Sequence, residues 1–122
     1  MPFRFAQLVG NYRLVVSAEL LSFIEQVFVA PAPAAERAAI RAEALAEAAS
    51  AAFIVQADGT LISRAGAVEF YRIQLSPVDG EVEELAFEKT PGQRVVLRMR
   101  DLNTLVAAQA GKPEAVFRRE AP

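Results

Sequence analysis

The sequence contains neither cysteine nor histidine, and these two absences exclude several kinds of site. Without cysteine, the chain has no disulfide framework and no thiolate nucleophile. Without histidine, it has no imidazole for a Ser-His pair, for the usual zinc sites or for a pH switch near neutrality. We therefore predict no cofactor, no metal site and no catalytic site of these types.

The sequence also lacks an excess of one charge and a long hydrophobic run. Thirteen basic and fifteen acidic residues are interspersed and give a net charge of −2. There is no basic stripe for a phosphate backbone, so no nucleic-acid partner is expected. The chain is predicted to be cytoplasmic, or secreted or periplasmic if a signal was removed. No membrane span is expected, because the most apolar segment is interrupted by Ser17, Glu19, Ser22, Glu25 and Gln26.

The rest of the composition is that of a folded domain. A chain of 122 residues with 53% hydrophobic residues predicts one domain over 1–122. Between 51 and 119, short runs of alternating hydrophobicity are separated by breaks rich in Gly, Pro, Asn and Asp. This pattern predicts a meander of antiparallel strands.

The register of this meander can be predicted by requiring that apolar residues meet on one face and charged residues on the other. A loop at 57–59 then pairs Val55 with Leu61. A three-residue loop at 90–92 pairs Lys89 with Gln93. This second loop also sets Phe87 opposite Val95 and Leu85 opposite Leu97 on one face, and Glu88 opposite Arg94 and Glu84 opposite Arg98 on the other.

Applied to the neighbouring strands, the same rule predicts that Ile73 lies opposite Phe87, Leu75 opposite Leu85, Arg72 opposite Glu88 and Met99 opposite Leu105. The predicted apolar face then consists of Tyr71, Ile73, Leu75, Leu85, Phe87, Val95, Leu97, Met99, Leu105, Ala107, Ala115 and Phe117. The predicted outer face carries Arg72, Glu84, Glu88, Arg94, Arg98 and Arg118.

The N-terminal half predicts one strand and two helices. Alternation over 5–16 is typical of a strand, and Ser17 is suited to cap a helix over 18–29. A second, alanine-rich helix is predicted from Pro33 to about Ser50, either as a close-packed cap on the sheet or as a mobile lid over an opening. With this first strand included, about eight strands can close into an up-and-down barrel. We therefore predict a mainly β fold, with the helix pair inserted between the first and second strands.

Several short motifs resemble the lipocalin-like branch of the calycin barrels, in the form found in small bacterial proteins. The segment 8–14 (LVGNYRL) resembles the N-terminal Gly-x-Trp strand of that family, with Tyr12 in place of the Trp. The segments 53–60 (FIVQADGT), 101–105 (DLNTL) and 116–119 (VFRR) resemble a later strand and the closing hairpin. The resemblance implies that Tyr12 packs under a basic side chain of the last strand, either Arg119 or Arg118, and closes one barrel end.

The leading functional prediction is non-enzymatic binding of a small hydrophobic molecule inside the barrel. Glu69 and Glu83 are predicted to point towards the apolar face, either at a solvated rim or orienting a ligand, with Arg64 or Arg119 as partner. The predicted ligand-binding residues are Tyr71, Ile73, Phe87, Leu97, Met99, Phe117, Glu69 and Glu83.

Two other functions remain open. The barrel core could be filled, in which case the protein would be an interaction or assembly module that binds a partner or a second copy through its helices. More remotely, the strands could form a cone-shaped sheet over the helices, as an enzyme with Glu69, Tyr71 and Glu83 in its pocket. Pairing between the strands that carry Tyr12 and Phe117 would exclude the cone.

Overall fold

The computed structural model describes residues 1–121 as a near-closed antiparallel barrel flanked by helices. The helices are α1 (Phe5–Leu8), α2 (Ala18–Ile24), which continues through a π-helical turn at Glu25–Val29, and α3 (Arg37–Ser50), which follows a 3₁₀ turn at Ala34–Glu36. The strands are β1 (Phe3–Arg4), β2 (Gly10–Leu14), β3 (Ala51–Val55), β4 (Thr60–Ala65), β5 (Val68–Gln74), β6 (Glu81–Val82), β7 (Leu85–Thr90), β8 (Gln93–Asp101), β9 (Thr104–Gln109) and β10 (Ala115–Arg119).

Eight strands form one sheet in the order β5-β4-β3-β2-β10-β9-β8-β7, and β1 pairs separately with β6. The predicted mainly β fold with a helix pair between the first two barrel strands is confirmed. β2 pairs with β10 so that Tyr12 lies opposite Arg119 and Leu14 opposite Phe117. This pairing joins the first and last strands of the barrel, which a cone-shaped sheet would leave unpaired.

The predicted inner face is confirmed along the meander. All twelve of its residues belong to one apolar cluster or pack against it, and Leu97 and Leu105 are fully buried. The predicted pairs Val55–Leu61, Phe87–Val95, Leu85–Leu97, Glu88–Arg94 and Met99–Leu105 are all present. The six residues predicted on the outer face are exposed.

The register prediction is wrong where β5 should meet β7. These two strands are the edges of the sheet, and the pairs Ile73–Phe87, Leu75–Leu85 and Arg72–Glu88 do not form. The connecting segment instead crosses one barrel end, where Val82 pairs with Phe3. The backbone N–H of Leu75 donates to Gly59 O at 2.8 Å. The barrel therefore has a seam between β5 and β7 that lacks a backbone ladder among the described residues.

Among the described residues the sheet has three register shifts, of which two change the direction of residues predicted for the site or its loops. In the β7–β8 hairpin, Thr90 rather than Lys89 pairs with Gln93, and the register shifts at Lys89. In the β4–β5 hairpin, Ser63 pairs with Tyr71 but Arg64 pairs with Glu69, which leaves Phe70 as the extra residue. A bulge places one more residue on one strand and reverses the alternation beyond it.

The N-terminal strand is shorter than predicted. The predicted strand over 5–16 is a strand only at Gly10–Leu14, because Phe5–Leu8 forms one helical turn. Gln7 Oε1 accepts a hydrogen bond from the backbone N–H of Arg4 at 2.8 Å and so caps that turn. The predicted N-cap at Ser17 is confirmed, since its hydroxyl oxygen accepts from Leu20 N–H at 3.1 Å.

The helices lie on the flank of the sheet. α3 contacts β2 and β4, and the helical core consists of Ile24, Val29 and Ala48 with partly buried neighbours that include Leu14 and Leu45. This core is distinct from the barrel core. The predicted cap on the sheet is therefore the correct alternative for α3.

Candidate functional site

A small apolar cavity opens at the barrel end formed by the β4–β5, β7–β8 and β9–β10 connections; we call it the mouth cavity. Its volume is about 140 Å³. Ten residues, all from strands or the β9–β10 loop, line it: Phe53, Tyr71, Lys89, Val95, Ala107, Gln109, Lys112, Pro113, Ala115 and Phe117. The helices contribute none of these residues, so they do not line the mouth cavity as a lid over it would.

A second space, the seam slot, extends from the mouth between the two edge strands. It measures about 440 Å³ and is lined by Ser63, Phe70, Tyr71, Lys89 and Thr90. Tyr71 and Lys89 line both spaces, so the mouth cavity and the slot lie side by side. The volume of the slot falls within the range usual for small-molecule sites.

Aromatic rings form the floor under the mouth cavity. The ring centroids of Phe53 and Phe117 are 4.6 Å apart, and Tyr71 lies 6.2 Å from Phe53 and 6.0 Å from Phe87. Desolvation by burial raises the pKa of Tyr71 to about 12, so its hydroxyl is neutral at pH 7. The floor is therefore an uncharged surface suited to a flat or apolar group.

The rim of the mouth cavity carries two lysines. Lys89 is directed there by the β7–β8 bulge and is half-buried, whereas Lys112 is exposed in the β9–β10 loop. Burial, and next the charge of Lys112, lower the pKa of Lys89. Among residues 1–121, no carboxylate lies within 4 Å of either ammonium group. The rim is thus a site of positive charge without a counterion from the chain.

Only some of the sequence-predicted ligand residues lie at this cavity. Tyr71 and Phe117 line it. Ile73, Phe87, Leu97 and Met99 belong to the packed barrel core instead, and Leu97 and Met99 are 0% and 1% exposed. Below the aromatic floor the barrel is filled by side chains.

Glu69 and Glu83 do not point into the barrel, so this part of the prediction is wrong. The extra residue Phe70 shifts Glu69 to the outer face, where it accepts two hydrogen bonds from Arg72 at 3.0 and 3.1 Å. The predicted partner Arg64 is 3.9 Å away. Glu83 is exposed in the segment between β6 and β7. Both carboxylates are therefore solvated, and neither is placed to orient a ligand inside the barrel.

The opposite barrel end is closed by Tyr12 and Arg119, as the family resemblance implied. The Arg119 guanidinium carbon lies 4.8 Å from the ring centroid of Tyr12, which is fully buried. Its nitrogens donate to the carbonyl oxygens of Val9 at 2.6 Å, of Leu102 at 2.9 Å and of Gln7. A side chain at Gly10 would collide with this guanidinium. These contacts therefore close this end of the barrel.

An apolar groove lies between α2 and α3; we call it the helical groove. Its volume is about 320 Å³, and it is lined by Leu20, Phe23, Ile24, Phe28, Ile40, Glu43, Ala44, Glu47 and Ala48. Phe28 is 51% exposed, and the two glutamates make one side of the groove acidic. The groove is open to solvent and separate from the mouth cavity.

Comparisons with known proteins give no match: no family model, no curated protein and no solved structure resembles the chain significantly. Among the described residues, no helix is long and apolar enough to cross a membrane. Within the same part of the chain, no three acidic residues cluster as metal ligands would. A functional proposal for this chain therefore rests on the geometry of its own residues.

Sequence reasoning missed Lys89, Lys112 and Phe53 as lining residues. One signal was present: of the thirteen basic residues only two are lysines, and these are the two at the rim. Their positions, 23 apart in the numbering, give no hint of proximity until the strands are arranged. A rule of strict alternation also cannot predict the bulge that directs Lys89 inwards.

Proposed function

We propose that the protein binds a small, mainly hydrophobic molecule in the mouth cavity and the adjoining seam slot, without catalysing a reaction. The observation that carries this proposal is the cavity over the floor of Phe53, Tyr71 and Phe117, at a barrel end where side chains leave space. The deeper barrel is packed, so the proposed site is shallower than the interior site expected from the sequence. A lipocalin-like relationship agrees with this proposal and forms part of it.

A mouth-blocking variant tests the proposal. The probe is the neutral dye N-phenyl-1-naphthylamine, whose fluorescence rises in apolar surroundings. We expect saturable binding to the native protein and a loss of at least about tenfold in affinity in Ala115→Phe, because the new ring occupies the mouth cavity.

The matched control is Ala44→Phe, which places the same ring in the helical groove. It should leave dye affinity within about twofold of the native value. Circular dichroism and urea midpoints check that both variants fold. The proposal fails if the native protein shows no saturable binding, or if Ala44→Phe abolishes binding while Ala115→Phe preserves it.

The alternative is an assembly module that associates with a second copy of the chain through the helical groove. The observation that favours it is the exposure of large apolar side chains along α2 and its π-helical turn, where Phe28 also lines the groove. Leu21, Val27 and Phe28 are 41%, 46% and 51% exposed. Neighbouring exposed apolar side chains are typical of interaction surfaces.

A further inference from the structure

We propose that the mouth cavity takes a ligand with an anionic group, such as a carboxylate, sulfonate or phosphate, on an apolar body, and that Lys89 and Lys112 bind the anionic group. This inference rests on the proposed function and specifies its ligand class. The carrying observation is the position of the two lysines on the rim of a cavity whose other walls are mostly apolar.

Arginine and lysine are distributed differently over the molecule. Eleven of the thirteen basic residues are arginines. Several of these are occupied by the chain itself: Arg119 by backbone carbonyls, and Arg13, Arg41, Arg72 and Arg98 by glutamates. Lysine occurs only at the rim. These two ammonium groups are therefore the basic groups that the geometry leaves available beside an apolar cavity.

Two neighbouring ammonium groups repel each other, and an anion between them removes that cost. Lys89 is half-buried, and the lowered pKa of its ammonium group reflects both lost hydration and repulsion from Lys112. A bound anion compensates both effects, so its binding energy exceeds that of a neutral group of the same size. Lysine supplies a compact charge that can meet differently shaped anions, in contrast to the fixed fork of arginine.

The geometry also sets the orientation of the ligand. The anionic group would lie at the rim, while the apolar body would lie over Phe53 and Phe117 and along Tyr71 into the seam slot. The helical groove has the opposite character, because Glu43 and Glu47 line it. An anionic probe should therefore prefer the mouth cavity to the helical groove more strongly than a neutral probe of the same shape does.

Two dyes with the same ring system test the inference. The dye 8-anilinonaphthalene-1-sulfonate differs from N-phenyl-1-naphthylamine by one sulfonate group. We expect the sulfonated dye to bind the native protein about tenfold more tightly at low ionic strength, and salt to reduce this advantage. In the double variant Lys89→Gln/Lys112→Gln, the sulfonated dye should bind no more tightly than the neutral dye.

The control is Arg94→Gln/Arg118→Gln, which removes the same net charge from two exposed residues of the outer face. It should retain most of the sulfonate advantage. In the lysine variant, affinity for the neutral dye should stay within about twofold, which shows that the cavity is intact. Competition identifies the apolar body: displacement by 1-naphthoate supports a ring acid and displacement by octanoate a chain acid. With each dye at its own dissociation constant, naphthalene should displace both dyes equally.

Equal affinity for the two dyes, or a sulfonate advantage that survives the lysine substitutions, would overturn the inference while the proposed function stands. Failure of both acids to displace the sulfonated dye would overturn it as well. Absence of saturable binding of either dye would instead remove the proposed function itself. The outcomes for the two proposals are thus distinguishable.

Discussion

At the scale of single residues, Arg119 is a side chain that joins several distant parts of the fold. Its guanidinium donates to carbonyl oxygens of Gln7, Val9 and Leu102 and packs over the ring of Tyr12. The Tyr12 hydroxyl in turn donates to Leu8 O at 2.7 Å. Lysine could not replace this arrangement, because one ammonium group cannot reach three carbonyl acceptors that lie around a planar guanidinium.

Replacing Arg119 should therefore destabilise the protein strongly. We expect Arg119→Met to lower the free energy of unfolding by about 2–4 kcal/mol, since it removes charge-assisted hydrogen bonds and the contact with the Tyr12 ring. Equilibrium urea unfolding measures this loss.

The neighbouring Arg118 provides the control, because it is exposed on the outer face. Arg118→Met should change stability by less than about 0.5 kcal/mol. Equal losses in the two variants would show that the barrel end does not depend on Arg119.

At the scale of elements, the helix pair and the barrel are stabilised unequally. The helical core has three buried residues, Ile24, Val29 and Ala48, whereas sixteen residues form the barrel core. α3 is also rich in alanine, which favours helix formation but buries little area. The helix pair should therefore open more easily than the central strands.

Native-state hydrogen exchange tests this difference. We expect backbone amides in the middle of α3 to exchange at least about tenfold faster than those of β8 and β9, since the helices can open without loss of the barrel. Similar protection in α3, β8 and β9 would show instead that helices and barrel open as one cooperative unit.

Elements also show what the sequence could and could not predict. Strict alternation located the inner face of β8, β9 and β10, because apolar residues such as Val95, Leu97 and Met99 recur there at every second position. The alternation rule failed at Phe70 and Lys89. A bulge costs little free energy locally, and it cannot be recognised from an alternating pattern of residues. At 90–92 (TPG) the alternation rule selected a three-residue loop, whereas the structure combines a two-residue turn at 91–92 with a bulge at Lys89.

The same reason explains the errors in the candidate site. Tyr71 and Phe117 face the inside as predicted because they follow alternation, whereas Glu69 was placed inside because Phe70 was counted as a regular strand residue. The pairing of Val82 with Phe3 joins segments almost eighty positions apart. No local rule predicts such a contact, and without it the β5–β7 seam could not be foreseen.

At the scale of the whole molecule, the remaining question is whether copies associate. The assembly alternative predicts that the sedimentation coefficient rises with protein concentration, because Phe28 and its neighbours would be buried between copies. Phe28→Asp should then restore a monomer, whereas binding in the mouth cavity as the sole function predicts a monomer at every concentration.

Phe70→Asp is the matched control in sedimentation, because Phe70 on β5 is 54% exposed and Phe28 is 51% exposed. It should leave association through the helices unchanged. If Phe70→Asp abolishes association and Phe28→Asp does not, copies meet along the open edge of the barrel rather than through the helical groove.

The role of Arg119 has a consequence for the order in which the chain can fold during synthesis. Its hydrogen bonds to Val9 and Gln7 span 110 and 112 positions, and β2 obtains one of its two neighbours only when β10 is available. A ribosome adding about 5–20 residues per second exposes β2 for several seconds before that partner emerges. The first barrel strand, β2, therefore pairs with the last, β10, only late in folding. The barrel end at Arg119 closes after the ribosome has translated that residue.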